Sequence, residues 1–136
     1  MNAGAAARKT VLVVEDDPML RSALTDALEG AGYAVLVGWD GEDGVRLARE
    51  RAPDVILLDL ALPGKSGLDV LEELKSRPAT RAIPVIVASS YTYLLHASDV
   101  PTAAAVFQKP FDMADLLAQM ERALTEPLSG ASAPPA

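Results

Sequence analysis

Short all-apolar runs alternate along this chain with stretches in which apolar residues recur every three or four positions. The runs are Val11 to Val14, Ala34 to Val37, Val55 to Leu58, Val85 to Ala88 and Ala104 to Phe107. Runs of four aliphatic residues without polar alternation predict strands covered on both faces, as in a parallel sheet. Between the first two, Met19, Leu20, Ala23, Leu24, Ala27 and Leu28 make the stripe of an amphipathic helix. Asp17 and Pro18 suit its cap and first turn, and Gly30 with Gly32 offers a left-handed exit. Val45, Leu47 and Ala48 predict a second helix, and Val70, Leu71 and Leu74 a third that stops before Pro78. Leu116, Leu117, Met120, Ala123 and Leu124 predict the last. The fourth connection is weakly written. Tyr91 to Pro101 holds the single histidine, two tyrosines and a Val100-Pro101 pair that disfavours helix, so one short helix is expected around Thr92 to Ser98. The pattern predicts an α/β domain of (βα)5 type.

Acidic residues stand directly after two of the runs: Glu15, Asp16 and Asp17 after the first, Asp59 after the third. In a parallel sheet these carboxylates reach the carboxyl edge, where open α/β sheets bind ligands. Converging carboxylates repel one another unless a hard cation sits among them, and Mg²⁺ is the usual cation of a site that handles phosphate. A metal-assisted phosphoryl site is therefore expected.

Composition narrows the class. The chain of 136 residues, half of them apolar, holds enough material for one core. It has no cysteine, which excludes disulfides and thiolate zinc sites. The net charge of −7, without a Lys/Arg cluster, argues against a nucleic-acid partner. The apolar runs are too short to cross a bilayer and the start lacks the pattern of a secretion signal, so no membrane partner and a cytoplasmic location are expected. Met1 to Ala7 and Ser129 to Ala136 carry no periodicity, so the expected division is a flexible segment 1–8, a domain 9–126 and a disordered tail 127–136.

Val13-Val14-Glu15-Asp16-Asp17-Pro18, Asp59-Leu60-Ala61-Leu62-Pro63-Gly64 with Gly67 following, Pro84 to Ser90, and Lys109-Pro110-Phe111 resemble the signature blocks of bacterial response-regulator receiver domains, in family order. The resemblance implies a flavodoxin-like, doubly wound sheet of order 2-1-3-4-5. It implies that Asp59 is the phosphoacceptor. Asp16 would then be a direct Mg²⁺ ligand, Glu15 a ligand through water, and the carbonyl of Ala61 would complete the protein's share. Ser89 matches the hydroxyl that bonds the phosphoryl group, and Lys109 the partner cation, in a family where the Lys-Pro bond is commonly cis. Taken singly, Asp59 reads as a turn or capping aspartate, Ser89 as a strand-end serine and Lys109 as a surface lysine; the blocks around them reverse that reading. Asp17, before Pro18, is explained by helix capping alone. Ala61 and Tyr91 occupy the places that flank the path of hydrolytic water in receivers, so a long-lived phosphoryl group is expected.

The sequence departs from the family at three points. The place of the common aromatic switch residue, three before the lysine, holds Val106 with Phe107 beside it; the interval from Ser89 to Lys109 is a residue or two short; and it lacks the usual Ala-Gly-Ala pattern. The expected function is a single-domain response regulator, not an enzyme beyond its own phosphorylation and dephosphorylation chemistry. It would accept a phosphoryl group from a sensor histidine kinase or a histidine phosphotransfer protein onto Asp59 and signal to a downstream protein by contact or relay, as a monomer or weak dimer. The rival is a receiver-fold interaction module that ignores phosphorylation. A flavodoxin-type carrier would need a glycine- and hydroxyl-rich loop where Glu15-Asp16-Asp17 stands, and a dehalogenase-type phosphatase leaves Asp59 unexplained. His96 reads as a surface histidine, and Trp39 as a partly buried residue near the pocket rim.

Overall fold

Five parallel strands form one sheet: β1 (Thr10–Val14), β2 (Ala34–Gly38), β3 (Val55–Leu58), β4 (Val85–Ser89) and β5 (Ala105–Gln108), in the order β2-β1-β3-β4-β5. The computed structural model describes residues 8–96 and 100–125. Helices α1 (Pro18–Gly30), α2 (Gly41–Arg51), α3 (Gly67–Ser76) and α4 (Met113–Thr125) complete it. β1 lies at the centre of the switch, pairing Val11 with Val35 of β2 and with Val55 of β3.

The alternation of side chains along each strand explains why the runs are apolar throughout. Leu12, Val14, Ile56, Leu58, Val85 and Val87 face α2 and α3, where Val45, Ala48, Val70, Leu71 and Leu74 complete one core. Val11, Val13, Val55, Leu57, Ile86 and Ala88 face α1 and α4 and meet Leu24, Leu28, Leu116 and Met120 in the other. Edge strand β5 alternates between half-buried and exposed residues.

Local chemistry sets the helix ends. Asp17 caps α1 by accepting from Met19 N at 3.0 Å, as its place before Pro18 suggests. The left-handed turn after α1 falls on Gly32, at φ +100°, while Gly30 is the last helical residue. Asp40 and Ser66 cap α2 and α3 by accepting from Asp43 N and Asp69 N.

The fourth connection differs from the single short helix expected. It contains two 3-10 turns, Thr92–Leu94 and Val100–Thr102, and residues 97 to 99 lie outside the described part. Among its described residues Tyr91, Tyr93 and Leu94 are exposed and Leu95 packs against the core, so little apolar surface is buried to hold a helix beyond the first turn. Gln108 ties the first turn to β5: its carbonyl oxygen accepts from the Thr92 hydroxyl, and its amide donates to Ser90 O at 3.4 Å. Met1 to Ala7 and Ser129 to Ala136, expected to be unstructured, also lie outside the described residues. Among the described residues no helix is long and apolar enough to cross a membrane.

Candidate functional site

β1 and β3 are adjacent and in register, and the chain leaves them toward opposite faces, α1 on one side and α3 on the other. The crevice between the two departing loops receives Glu15 and Asp59, each one residue past its strand. Backbone bonds hold both: Asp59 N donates to Val14 O at 3.1 Å, and Glu15 N to Gly38 O at 3.2 Å.

Lys109 bridges the two acids. Its Nζ donates to Glu15 Oε1 and to Asp59 Oδ2, each at 2.9 Å, and both carboxylates are buried. Burial pushes the Glu15 carboxyl above the usual carboxylate range; the bond from Lys109 opposes this and the Asp59 charge adds to it. Burial acting alone would lower Lys109, but the bonds to Glu15 and Asp59 outweigh it and hold the ammonium above its ordinary value. Lys109 therefore stays charged. The Lys109–Pro110 peptide is cis.

The other oxygens are also placed. Asp59 Oδ1 accepts from Ala61 N at 3.1 Å, and Glu15 Oε2 from Asp17 N at 3.2 Å. Carboxylate oxygens of Glu15, Asp16 and Asp59 lie within 4.8 Å of one another, with Asp16 exposed and the other two buried. Three carboxylates against one ammonium leave an excess of negative charge in a set of hard oxygen donors, which fits a small divalent cation. Asp17 is outside this group and serves as the helix cap.

The remaining expected residues are placed as follows. Ser89 is fully buried at the end of β4; its hydroxyl accepts from Tyr91 N at 3.1 Å and its carbonyl from Lys109 N at 3.0 Å, so it joins the group through the backbone. Ala61 is exposed in the loop after Asp59. Tyr91 is 43% exposed and meets Tyr93 edge to face. Val106 is exposed on β5, whereas Phe107 packs into the core beside Phe111. His96 is exposed, as expected. Trp39 is not partly buried as expected but 62% exposed, with the Arg21 guanidinium 4.5 Å from its ring centroid.

Sequence reading missed Arg21 and the packing role of two glycines. Arg21 Nη1 donates to the carbonyls of Glu15 at 3.0 Å and Asp16 at 3.3 Å. A Cβ on Gly67 would sit 2.2 Å from Asp59 O, and one on Gly41 2.3 Å from Lys65 O, so both positions exclude any side chain. The only signal for these in the sequence is Gly67 within its block; Arg21 reads as an ordinary polar-face residue of an amphipathic helix.

Comparison with known proteins gives the family. The family model described as response regulator receiver domain matches residues 11–121. Protein PilH of Pseudomonas aeruginosa is 41% identical over 80 residues, covering 59% of this chain and 66% of its own length. Transcriptional regulatory protein PdtaR of Mycobacterium tuberculosis is 30% identical over 127 residues, 91% of this chain and 60% of its own. The chain thus spans under two thirds of either relative. Protein Rrf1 of Nitratidesulfovibrio vulgaris is 34% identical over 114 residues, 84% of this chain and 81% of its own. Among solved structures, the receiver domain of sensor histidine kinase PA1611 from P. aeruginosa, with a magnesium ion coordinated in its active-site cleft, superposes with a TM-score of 0.79 at 27% identity, over 88% of this chain and 100% of that one. Response regulator TrrA from Thermotoga maritima, in complex with Mg(2+)-BeF, gives 0.78 at 26% identity, over 85% and 99%. With strand order, switch-point acids and the matched span in agreement, this chain belongs to the response regulator receiver domain family.

Proposed function

We propose that Asp59 is the phosphoacceptor of a two-component signalling step. The observation that carries this is the Lys109 bridge, whose ammonium donates to the buried carboxyl groups of both Asp59 and Glu15 at the carboxyl edge of the sheet. The donor would be a phosphohistidine, on a sensor histidine kinase or a histidine phosphotransfer protein. A carboxylate oxygen of Asp59 forms the bond to phosphorus as the bond from phosphorus to the imidazole nitrogen breaks, its electron pair returning to the ring. Amide and ammonium bonds to its two oxygens fix the direction of the carboxylate before the donor arrives. Lys109 keeps its charge through the reaction and faces the negative charge gathering on the phosphoryl oxygens. The Ser89 hydroxyl, held at the end of β4, is the further donor we assign to those oxygens.

Mg²⁺ is the cation we assign to Glu15, Asp16, Asp59 and the carbonyl of Ala61; when bound it neutralises charge on both the acid cluster and the incoming phosphoryl group. The catalytic contribution of the chain is confined to acquiring and losing this group, and the phosphorylated state acts on a downstream protein by contact or relay.

Incubation of the full chain with acetyl phosphate, with and without excess chelator, followed by intact-mass and peptide mass spectrometry, tests this reading. Mg²⁺-dependent labelling confined to Asp59 and abolished in Asp59→Asn is expected. Undiminished labelling of that variant, or equal labelling in chelator, rejects it.

A second reading, a receiver-fold interaction module that acts independently of phosphorylation, draws support from exposed Val106 at the switch position and from the 3-10 turns in the fourth connection. An NMR shift map with and without beryllofluoride separates the two. Shifts confined to the loops around Asp59, Ser89 and Lys109 favour the second reading; contiguous shifts reaching Val106 and Leu116 favour the first.

A further inference from the structure

Trp39 is the single tryptophan of the chain, and it stands 62% exposed just past β2. A ring so exposed gains little from burial, so its contacts must account for its place. Its ring carries the Arg21 guanidinium at 4.5 Å, and that guanidinium reaches the carbonyls of both Glu15 and Asp16. Gly38, immediately before Trp39, accepts the Glu15 amide. The end of β2 therefore grips the acid loop twice, directly through Gly38 and indirectly through Trp39 and Arg21. The grip matters most for Asp16. Its side chain is exposed, so core packing does not set its direction and the loop backbone must.

We propose that Arg21 and Trp39 form a clamp that positions Asp16, and with it Glu15, for a divalent cation, a role that rests on the metal assignment above. Arg21 is a positioning residue acting through two backbone carbonyls; Trp39 holds the plane of its guanidinium. Arginine suits the task where lysine does not, because its flat fork stacks on a ring while donating at its edge.

The sign of one effect separates positioning from electrostatics. A cation beside a dication site repels the dication, so if charge were all that Arg21 supplied, its removal would tighten Mg²⁺ binding. Positioning requires the reverse.

The test is calorimetric Mg²⁺ titration of the full chain as wild type, Arg21→Gln, Arg21→Lys, Trp39→Ala and Trp39→Phe, with thermal melts in chelator and NMR of the Arg21 side chain. Arg21→Gln is expected to weaken binding on the order of ten-fold, as loss of a partner that orients metal ligands does. Trp39→Ala should weaken it about three-fold, while Trp39→Phe, which keeps a ring, should restore most of the loss. Arg21→Lys should fall between wild type and Arg21→Gln. The ring-current shift of the Arg21 resonances should vanish in Trp39→Ala. Unchanged or tighter binding in Arg21→Gln, equal loss in Trp39→Ala and Trp39→Phe, or a lowered melting temperature in Trp39→Ala with unaltered affinity would each overturn the clamp. A wild type that binds no Mg²⁺ would overturn the metal assignment and the clamp with it; a wild type that binds, with all four variants unchanged, overturns the clamp alone.

Discussion

Replacing Gly67 by alanine should damage the fold and the placement of Asp59 together. Gly67 opens α3 and its amide donates to Leu60 O at 2.8 Å, which folds the loop after β3 back on itself. An added Cβ would lie 2.2 Å from Asp59 O, 2.4 Å from Leu60 Cα and 2.9 Å from Asp59 C. All three are backbone atoms, so no side-chain rotation relieves the clash and the loop must move by about 1 Å to restore van der Waals distance. Overpacking of this kind costs about 1–3 kcal/mol, and weakening the Leu60 bond adds about 1 kcal/mol. The lower entropy of alanine in the unfolded chain returns up to about 1 kcal/mol. The net loss is about 1–4 kcal/mol, and its middle value, about 2.5 kcal/mol, lowers Tm by roughly 10 °C for a domain of this size. Circular-dichroism melts in chelator measure this, with Gly30→Ala as the control because nothing lies within 4 Å of a Cβ there; that variant should melt at or above wild type. Mg²⁺ affinity should also fall by more than about ten-fold in Gly67→Ala, since the displaced carbonyl belongs to Asp59 itself. A Tm within about 3 °C of wild type with normal Mg²⁺ affinity would refute the claim that this close approach fixes the position of Asp59.

Asp16→Ala and Asp17→Ala should separate cleanly: the first weakens Mg²⁺ binding by titration, while the second costs about 1 kcal/mol of stability through its lost cap and leaves affinity near wild type. Equal effects on Mg²⁺ would place the ligand register one residue off. Ala52 ends α2 at φ 45°, in the left-handed region that costs a non-glycine residue about 1 kcal/mol; Ala52→Gly should stabilise the fold by about 0.5 kcal/mol in a denaturant titration, and a loss of stability would contradict it. Glu73 is held below the usual carboxylate range by hydrogen bonds from Lys65 at 2.6 Å and Arg77 at 2.6 Å, so its contribution is present above its unfolded value of 4.5 and is lost as pH falls through the lower folded value. Urea titrations from pH 6 to pH 3 should therefore show a steeper acid loss in wild type than in Glu73→Gln; parallel curves would mean that the pair is too solvent-exposed to matter. Tyr91→Ala should speed the loss of phosphate from Asp59 if the ring shields phosphorus, and an unchanged rate measured by mass spectrometry would reject shielding.

The strands were legible from the sequence because burial on both faces leaves no room for polar residues, so Val11 to Val14 and Val55 to Leu58 announce themselves without reference to neighbours. The acids that follow them were legible for the same reason, since a strand end fixes where the next side chain emerges. Capping by Asp17 is likewise a local event, governed by free amides two residues away. What the sequence left open depends on partners distant along the chain. Lys109 meets Glu15 and Asp59 across 94 and 50 residues, and the strength of that bridge comes from burial that only the assembled sheet creates. Among its described residues the fourth connection holds two 3-10 turns, with Tyr91 and Tyr93 exposed and Leu95 packed on the core, a division set by packing that no local propensity answers. The tertiary structure alone turned Trp39 and Arg21, from the end of β2 and the second turn of α1, into one contact above the acid loop. It alone placed the Gly67 Cα against the Asp59 carbonyl, because close approach of two backbones is a property of the packed chain and leaves in the sequence nothing but a glycine.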